Sequence, residues 1–240
     1  AAGCGVRALA RREGGWTLHL QEGGSWEADA CVVAIPAAAA AEILGGVDPE
    51  LPGILEQVRY ASSAVVFLGY REGPGARLPG ATGFLVASDE RRSFFGCTFV
   101  SNKFDERAPE GTVLVRTFIG GALDEERASL ADGPLVDAVR KDLAEIVGLR
   151  ADPILVHVQR WPKTNPQHEV GHAEKVAAVD RRLASLPGLF VTGSALRGIG
   201  IPDGVVMGRD AAGGILRFLD LDGDTPGERL SGDLPTEGAP

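Results

Sequence analysis

The 240-residue sequence predicts a mixed α/β fold, of the α+β kind, in which two types of strand form separate sheets. A continuous apolar segment, EADACVVAIP, is typical of a buried strand, and an alanine-rich segment typical of a helix follows it. Further along, apolar runs alternate with glycine turns, as in an antiparallel sheet. A last strand, a glycine-rich loop and a long helix complete the pattern, so we expect two structural layers.

The first elements follow from local patterns. Val6 to Leu9 and Trp16 to Leu20 predict a hairpin around the turn at Gly14 and Gly15. The apolar strand that follows closes at Pro36, and an alanine-rich helix continues to Leu44. Between Leu51 and Gly121 we expect the strands of a second sheet, in the segments SAVVFLGY, GFLVAS, RSFFGCTF and GTVLVRTFIGG.

The remaining elements are mostly predicted by periodicity. Apolar residues recur at helical spacing in ADGPLVDAVRKDLAEIVGL, and Gly148 suits the end of that helix. The strand ILVHVQRW, a helix at a histidine motif and the strand GLFVTG come next. The last helix should begin near Asp203 and run towards Leu219, and the Gly-, Pro- and Asp-rich tail from Asp220 should be disordered.

Composition narrows the class of protein. With 44% hydrophobic and 24% charged residues, the chain should form one large or two small globular units. Its net charge of -9, with no basic run near aromatic residues, argues against binding to nucleic acid. The three scattered cysteines indicate neither a disulfide framework nor a thiolate metal site, which favours the cytoplasm. The apolar runs are too short to span a bilayer, although association with a membrane surface stays open.

The stretch NPQHEVGHAEKV contains H-E-x-x-H, formed by His168, Glu169 and His172, which is the signature of helical zinc peptidases. Asn165 and Pro166 could start a helix that carries both imidazoles on one face. However, no third ligand is spaced for zinc, and Gly171 weakens such a helix. We therefore expect no metal site and keep a zinc peptidase as the weaker alternative.

The loop before the last helix is the most informative segment. Gly193 ends a buried strand, the glycines at 198, 200 and 204 keep the loop free of side chains, and Asp203 can cap a helix. A helix N-terminus favours a phosphate or the negative charge of a reduced flavin ring. The alternative is that the glycines only allow a sharp turn.

Four segments, in this order, resemble the C-terminal half of the FAD-dependent protoporphyrinogen/coproporphyrinogen oxidases of the flavin amine oxidase superfamily: ADACVVAIPAAAAAEIL, FDERAPEGTVLVRTFIGG, RWPKTNPQHEVGH and GSALRGIGIPDGVVMGRDAA. The resemblance runs from about Val6 to Leu219. In that family the histidine segment reads roughly P-Q-Tyr-x-V-G-H, so His168 stands where a tyrosine is usual and the zinc pattern is coincidental. The family often has a cysteine at the position of Gly204.

The resemblance implies the arrangement of the chain and its site residues. A partial FAD-binding, Rossmann-like domain would cover residues 1–48 and 161–219, a substrate domain with an antiparallel or mixed sheet would cover 49–160, and 220–240 would be the disordered tail. The implied FAD-binding residues are Val6, Trp161, Gly193, Ile199, Gly200, Ile201 and Asp203. The implied lining of an apolar tetrapyrrole cavity is Leu85, Phe95 and Phe118, and no catalytic side chain is implied.

The implied reaction is the FAD-dependent oxidation of protoporphyrinogen IX or coproporphyrinogen III to the porphyrin by dioxygen, in heme biosynthesis. The G-x-G-x-x-G motif that holds the FAD diphosphate is not in this sequence, so we expect an N-terminally truncated fragment that is inactive alone. An amine oxidase or carotenoid-type desaturase is the alternative within the superfamily, and a non-catalytic binding module lies outside it. A homodimer and a peripheral position at the membrane stay open.

Overall fold

The computed structural model describes residues 3–221, which form two compact units. One unit combines the residues up to Arg59 with those from His168 onward, and the other is the continuous segment Tyr60–Gln167. The disorder expected of the tail, from residue 222 on, lies outside the described residues. No helix within residues 3–221 has both the length and the apolar character needed to cross a bilayer.

The first unit begins with a three-stranded antiparallel sheet, in the order β1-β2-β3. Its strands are β1 (Val6–Arg12), β2 (Gly15–Leu20) and β3 (Ser25–Ala28). The predicted hairpin is confirmed, and Gly14, at φ +75°, occupies a turn position that a side chain would strain. Leu9 and Trp16 are buried beneath this sheet.

A pair of parallel strands follows, formed by β4 (Cys31–Val33) and β10 (Leu189–Val191). The prediction of one continuous strand across EADACVVAIP is wrong, because the chain bends at Asp29 and Ala30. Before the bend, β3 completes the antiparallel sheet, and after it β4 hydrogen-bonds to a segment far along the chain. The ion pair of Asp29 with Arg12, at 3.5 Å, holds the bend against β1.

Helices pack around these strands. They are α1 (Ala37–Leu44), α2 (Leu51–Leu55), α6 (His172–Leu183) and α7 (Ile201–Phe218). Asp48, before α2, joins α2 to α6, because one carboxylate oxygen accepts the amide of Glu50 at 2.8 Å and the other accepts Nε of Arg182 at 2.8 Å. Burial alone would raise the pKa of Asp48, but these hydrogen bonds outweigh it and the pKa lies below its usual value.

The second unit is a five-stranded antiparallel sheet in the order β6-β7-β8-β5-β9. This confirms the predicted antiparallel layer, although the second and third strands are shorter than their apolar runs. The strands are β5 (Tyr60–Arg71), β6 (Gly83–Leu85), β7 (Gly96–Phe99), β8 (Thr112–Gly120) and β9 (Leu155–Pro166).

One face of this sheet is covered by α5 (Asp132–Val147) and the short α4 (Glu125–Ala128), while α3 (Val100–Lys103) follows β7. The predicted helix is confirmed, and it ends where Gly148 adopts φ +72°. Alternate residues of β8 pack in the core against the apolar face of α5. The core residues from β8 include Val113, Val115 and Ile119, and those from α5 include Leu135, Val139 and Leu143. The residues between them on β8 therefore lie on the opposite face.

Candidate functional site

The glycine-rich loop joins β10 to α7 in the first unit. Gly193 has φ +126°, and its carbonyl accepts the amide of Leu196 at 3.0 Å, so the chain turns sharply as it leaves the strand. Ala195 and Leu196 are buried and anchor the loop. Gly198 adopts φ +59°, where an L-residue is strained. The loop geometry therefore depends on the glycines.

The start of α7 differs from the sequence prediction in one detail. The helix begins at Ile201 rather than near Asp203, with Gly200 at the N-cap and Pro202 in the first turn. Asp203 is not the N-cap residue, since its Oδ2 accepts the amide of Gly200 at 3.0 Å from the third helical position. Ile199 and Ile201 are 68% and 87% exposed, so their side chains do not cover this helix start, whereas the side chain of Asp203 lies against Gly198 and Gly200.

This arrangement has a defined chemical capacity. The first-turn amides of a helix have no intrahelical acceptor, and they carry partial positive charge. Pro202 has no N–H, so the amides of Ile201 and Asp203 are the donors that the first turn offers. Gly198 and Gly200 before them add no side chains of their own, and the Asp203 carboxylate lies beside both. The free amides of the first turn can stabilise negative charge on a ligand.

The two histidines of the zinc-like motif hydrogen-bond to the main chain of this loop. The rings of His168 and His172 stack with centroids 4.0 Å apart and an interplanar angle of 11°. Their Nε2 atoms lie 2.9 Å from the carbonyl oxygens of Ser194 and Leu196. Because a carbonyl oxygen only accepts, each Nε2 carries a hydrogen and donates it.

The helix that the zinc alternative requires is not formed. Pro166 ends β9, Gly171 adopts φ +85°, and α6 starts only at His172. Glu169 pairs with Arg59 at 3.3 Å. Across the described range 3–221, no group of three or more histidine, cysteine or acidic side chains is arranged to hold a metal ion.

The second unit brings the three predicted substrate-lining residues together. Phe118 lies on the face of β8 opposite the core. It pairs with Gly96 on β7, and Gly96 pairs on its other side with Leu85 on β6. Gly96 has no side chain, and the side chains of Leu85 and Phe118 close over it, since a Cβ added there would lie 3.1 Å from Cδ2 of Leu85 and 3.8 Å from Cδ2 of Phe118. The ring of Phe95 lies 6.1 Å from that of Phe118. Leu85 is 84% exposed, and the result is an accessible apolar surface.

Trp161 lies on the same face of the sheet as Phe118, and their partners on β5 are two residues apart. It pairs with Ser63, whereas Phe118 pairs with Val65. The register shifts beside it, and Lys163 takes a left-handed conformation with φ +48°. Bulges of this kind redirect a side chain and are frequent near active sites.

The bulge beside Trp161 is fastened by Glu125. Its Oε1 accepts Nζ of Lys163 at 2.7 Å and the amide of Ser62 at 2.9 Å. The hydrogen bond from Lys163, followed by that from Ser62, lowers the pKa of Glu125 to about 2. The backbone that orients Trp161 is therefore held by an ionised carboxylate at neutral pH.

The predicted cofactor residues thus fall in both units. Gly193, Ile199, Gly200, Ile201 and Asp203 form one continuous loop and helix start in the first unit. Val6 lies in the same unit at the start of β1, opposite Leu20 and partly buried. Trp161 belongs to the second unit.

Two features of the second unit were not predicted from the sequence. A cavity of about 480 Å³ borders Phe95, and Arg91 and Leu123 are among its lining residues. Arg116 lies on the apolar face with its guanidinium carbon 4.8 Å from the centroid of the Phe118 ring. The sequence could have indicated this, because Arg116 and Phe118 are two residues apart in one strand and such residues lie on the same face of a sheet.

Comparison with known proteins gives a consistent result. The sequence model of the family described as flavin containing amine oxidoreductase matches residues 2–216. A protein named coproporphyrinogen III oxidase from Bacillus subtilis (strain 168) is 33% identical over 220 residues, which cover 90% of this chain and 46% of the relative. One of the same name from Mycobacterium bovis (strain ATCC BAA-935 / AF2122/97) is 36% identical over 216 residues, with the same two shares.

Among solved structures, a putative protoporphyrinogen oxidase from Exiguobacterium sp. 255-15 superposes with a TM-score of 0.73 at 26% identity. The match covers 92% of this chain and 47% of that one. The chain therefore spans about half the length of the curated relatives and of the structure that it matches.

Proposed function

The chain belongs to the flavin containing amine oxidoreductase family, and from that membership we propose that it forms part of an FAD-dependent porphyrinogen oxidase. The observation that carries the proposal is the 33–36% identity, over 90% of this chain, with relatives named coproporphyrinogen III oxidase. The proposed reaction is the oxidation of coproporphyrinogen III or protoporphyrinogen IX to the porphyrin by dioxygen, in heme biosynthesis. It applies to a protein that also supplies a dinucleotide-binding segment.

The residues of the first unit fit the proposed cofactor. FAD, when bound, supplies the capacity to accept hydride from the methylene bridges of a porphyrinogen. Ile199, Gly200 and Ile201 would contact its ring through the main chain, beside the Asp203 carboxylate that accepts the amide of Gly200. The amino end of α7 would stabilise negative charge on that ring. Gly193 and Asp203 fix the loop, and Val6 would lie towards the adenine end.

The second unit would bind the tetrapyrrole. Leu85, Phe95 and Phe118 offer an apolar surface on which a macrocycle can lie and from which water is displaced. Trp161, on the same face of the second unit, stays a predicted contact of the flavin. The chain's own residues therefore bind, orient and exclude water, and no side chain is assigned a proton transfer.

The test begins with the coding sequence upstream of this chain. We expect it to encode a strand, G-x-G-x-x-G and a helix. The product that includes this segment should oxidise coproporphyrinogen III or protoporphyrinogen IX in air and release hydrogen peroxide. Turnover of a polyamine or a polyene, without turnover of either porphyrinogen, would contradict the proposal in favour of an amine oxidase or a desaturase.

A matched pair of variants tests the substrate surface. Replacing Phe118 with alanine should raise KM for the porphyrinogen about tenfold, because a buried aromatic contact contributes on the order of 1–3 kcal/mol. Replacing Phe104, which is exposed after α3, should leave KM unchanged. Equal effects of both variants would contradict the assignment of this face.

The 240-residue chain alone should bind FAD weakly, because the diphosphate cradle is not among its residues. Purification with stoichiometric flavin would contradict this expectation. Association with a membrane surface and formation of a homodimer stay predictions.

A further inference from the structure

Arg116 occupies the middle of the open face of the second unit's sheet. It lies on β8, opposite Thr98 on β7 and Phe67 on β5. Its guanidinium carbon stands 4.8 Å from the centroid of the Phe118 ring. The aromatic face limits the positions that this side chain can take and leaves the other edge of the guanidinium available.

Arg116 differs from the other arginines of its unit. Among those that are partly buried, Arg92, Arg127, Arg140 and Arg160 each pair with a carboxylate. Arg116 is also partly buried but has no carboxylate partner among residues 3–221. Its Nε atom is buried and has no acceptor among the described residues. A desolvated donor without an acceptor is unfavourable. The side chain as a whole is only partly buried, so the accessible part of the guanidinium is where an acceptor from outside the described chain can bind.

The surroundings of Arg116 define the acceptor. The Phe118 ring packs against its guanidinium, and the Phe95 ring lies 6.1 Å beyond that of Phe118, so an apolar, flat surface continues away from Arg116. A carboxylate matches the planar fork of a guanidinium, and charge complementarity favours an anion here although the whole chain carries -9. A flat apolar body with acidic side chains satisfies both requirements.

On the basis of the proposed function, we propose that Arg116 binds a propionate carboxylate of the tetrapyrrole while the macrocycle lies against Phe118 and Phe95. Arg116 thereby determines the position of the ring on the sheet and selects substrates that carry an acidic side chain at that place.

Porphyrin binding to the 240-residue chain tests this subsite. Coproporphyrin III and its uncharged tetramethyl ester are titrated separately, and Kd is measured from the porphyrin fluorescence. The variants are Arg116→Gln, Arg116→Lys and the control Arg150→Gln, which removes an exposed positive charge beyond the end of α5. Thermal unfolding of each variant shows whether it is folded.

The wild type should prefer the acid to the ester. Arg116→Gln should weaken acid binding about tenfold, equivalent to about 1.4 kcal/mol, and leave ester binding unchanged. Arg116→Lys keeps the charge without the planar fork and should lose part of the preference, whereas Arg150→Gln should match the wild type. If Arg116→Gln does not fold, the acid-to-ester ratio of Arg116→Lys decides, and an unchanged ratio overturns the subsite.

The remaining outcomes separate this subsite from the proposed function. If Arg116→Gln binds both porphyrins as the wild type does, the tetrapyrrole assignment stands and the role of Arg116 is wrong. If the wild type binds neither porphyrin, the assignment of this face to a tetrapyrrole fails, and the subsite fails with it.

Discussion

Replacing Gly198 with alanine tests whether the loop before α7 requires a bare main chain. Gly198 has φ +59°, and an added Cβ would lie 2.5 Å from Cγ of Asp203, far inside normal contact distance. The added atom would also overlap Cβ of Asp203, and because that atom is fixed to the backbone, turning the side chain cannot relieve the clash. The main chain of the loop would have to shift, and the hydrogen bond from the amide of Gly200 to Asp203 would be lost.

The magnitude follows from two contributions. An L-residue in the left-handed region costs about 1–2 kcal/mol. Loss of the hydrogen bond between Gly200 and Asp203 adds about 0.5–1.5 kcal/mol. Local opening should therefore become easier by about 1.5–3.5 kcal/mol, which corresponds to an opening equilibrium shifted by about 10- to 400-fold.

Hydrogen exchange measured by mass spectrometry is the assay. Peptides that contain Gly200 and the first turn of α7 should exchange faster in Gly198→Ala by about that factor. The control is Gly208→Ala within α7, where an added Cβ meets nothing within 4 Å and helix propensity should contribute about 0.5–1 kcal/mol of stability. Exchange in Gly198→Ala as slow as in the wild type would refute the reasoning.

Three further variants test the surrounding structure. Leu143→Ala, at a fully buried position of α5, should lower the free energy of unfolding by about 3 kcal/mol in urea denaturation; the small loss typical of a surface substitution would contradict the core assignment. His172→Ala should speed amide exchange in the loop it binds, while a chelator changes nothing; bound zinc in elemental analysis would contradict a purely structural role for the pair. Glu125, whose pKa falls from 4.5 to about 2, contributes stability that is present above pH 4.5 and lost as the pH falls towards 2; Glu125→Gln should remove that part of the stability–pH curve, and an unchanged curve would contradict the bond to Lys163.

Elements with a strong local signal were predictable from the sequence. Periodic apolar residues and Gly148 predicted α5 and its C-terminal end, and the turn at Gly14 predicted the first hairpin. The strand before Gly193 and the helix after it were also recognised, although the helix starts earlier because Pro202 and Asp203 occupy its first turn.

The errors arise where distant segments decide the structure. Asp29 and Ala30 sit within an apolar run, and only the pairing of Cys31 with Leu189 shows why the strand is interrupted there. Similarly, Pro166 could start a helix, but its pairing with Tyr60 extends β9 instead. Such competition between local preference and long-range pairing cannot be read from a window of sequence.

For the candidate site, the sequence predicted which residues take part better than it predicted which residues lie next to one another. Leu85 and Phe118 came from resemblance, and their common row depends on the register through Gly96. Arg116 was missed because an arginine in an alternating strand usually points to solvent. What distinguishes Arg116 is that it has no carboxylate partner among residues 3–221 and that its Nε is buried, and both facts are visible only in the folded structure.

The division into a continuous and a discontinuous unit also constrains how the protein is made. During synthesis the segment Tyr60–Gln167 is completed before β10 is made. The sheet of the second unit can therefore fold while β4 is still without its parallel partner strand. We expect nascent chains stalled far enough beyond Gln167 for β9 to have left the ribosome, but with β10 still inside it, to protect the intervening sheet from protease while the segment around β4 is still cut. We therefore expect chaperones to bind the segment that contains β4 during synthesis, because that apolar strand is still unpaired.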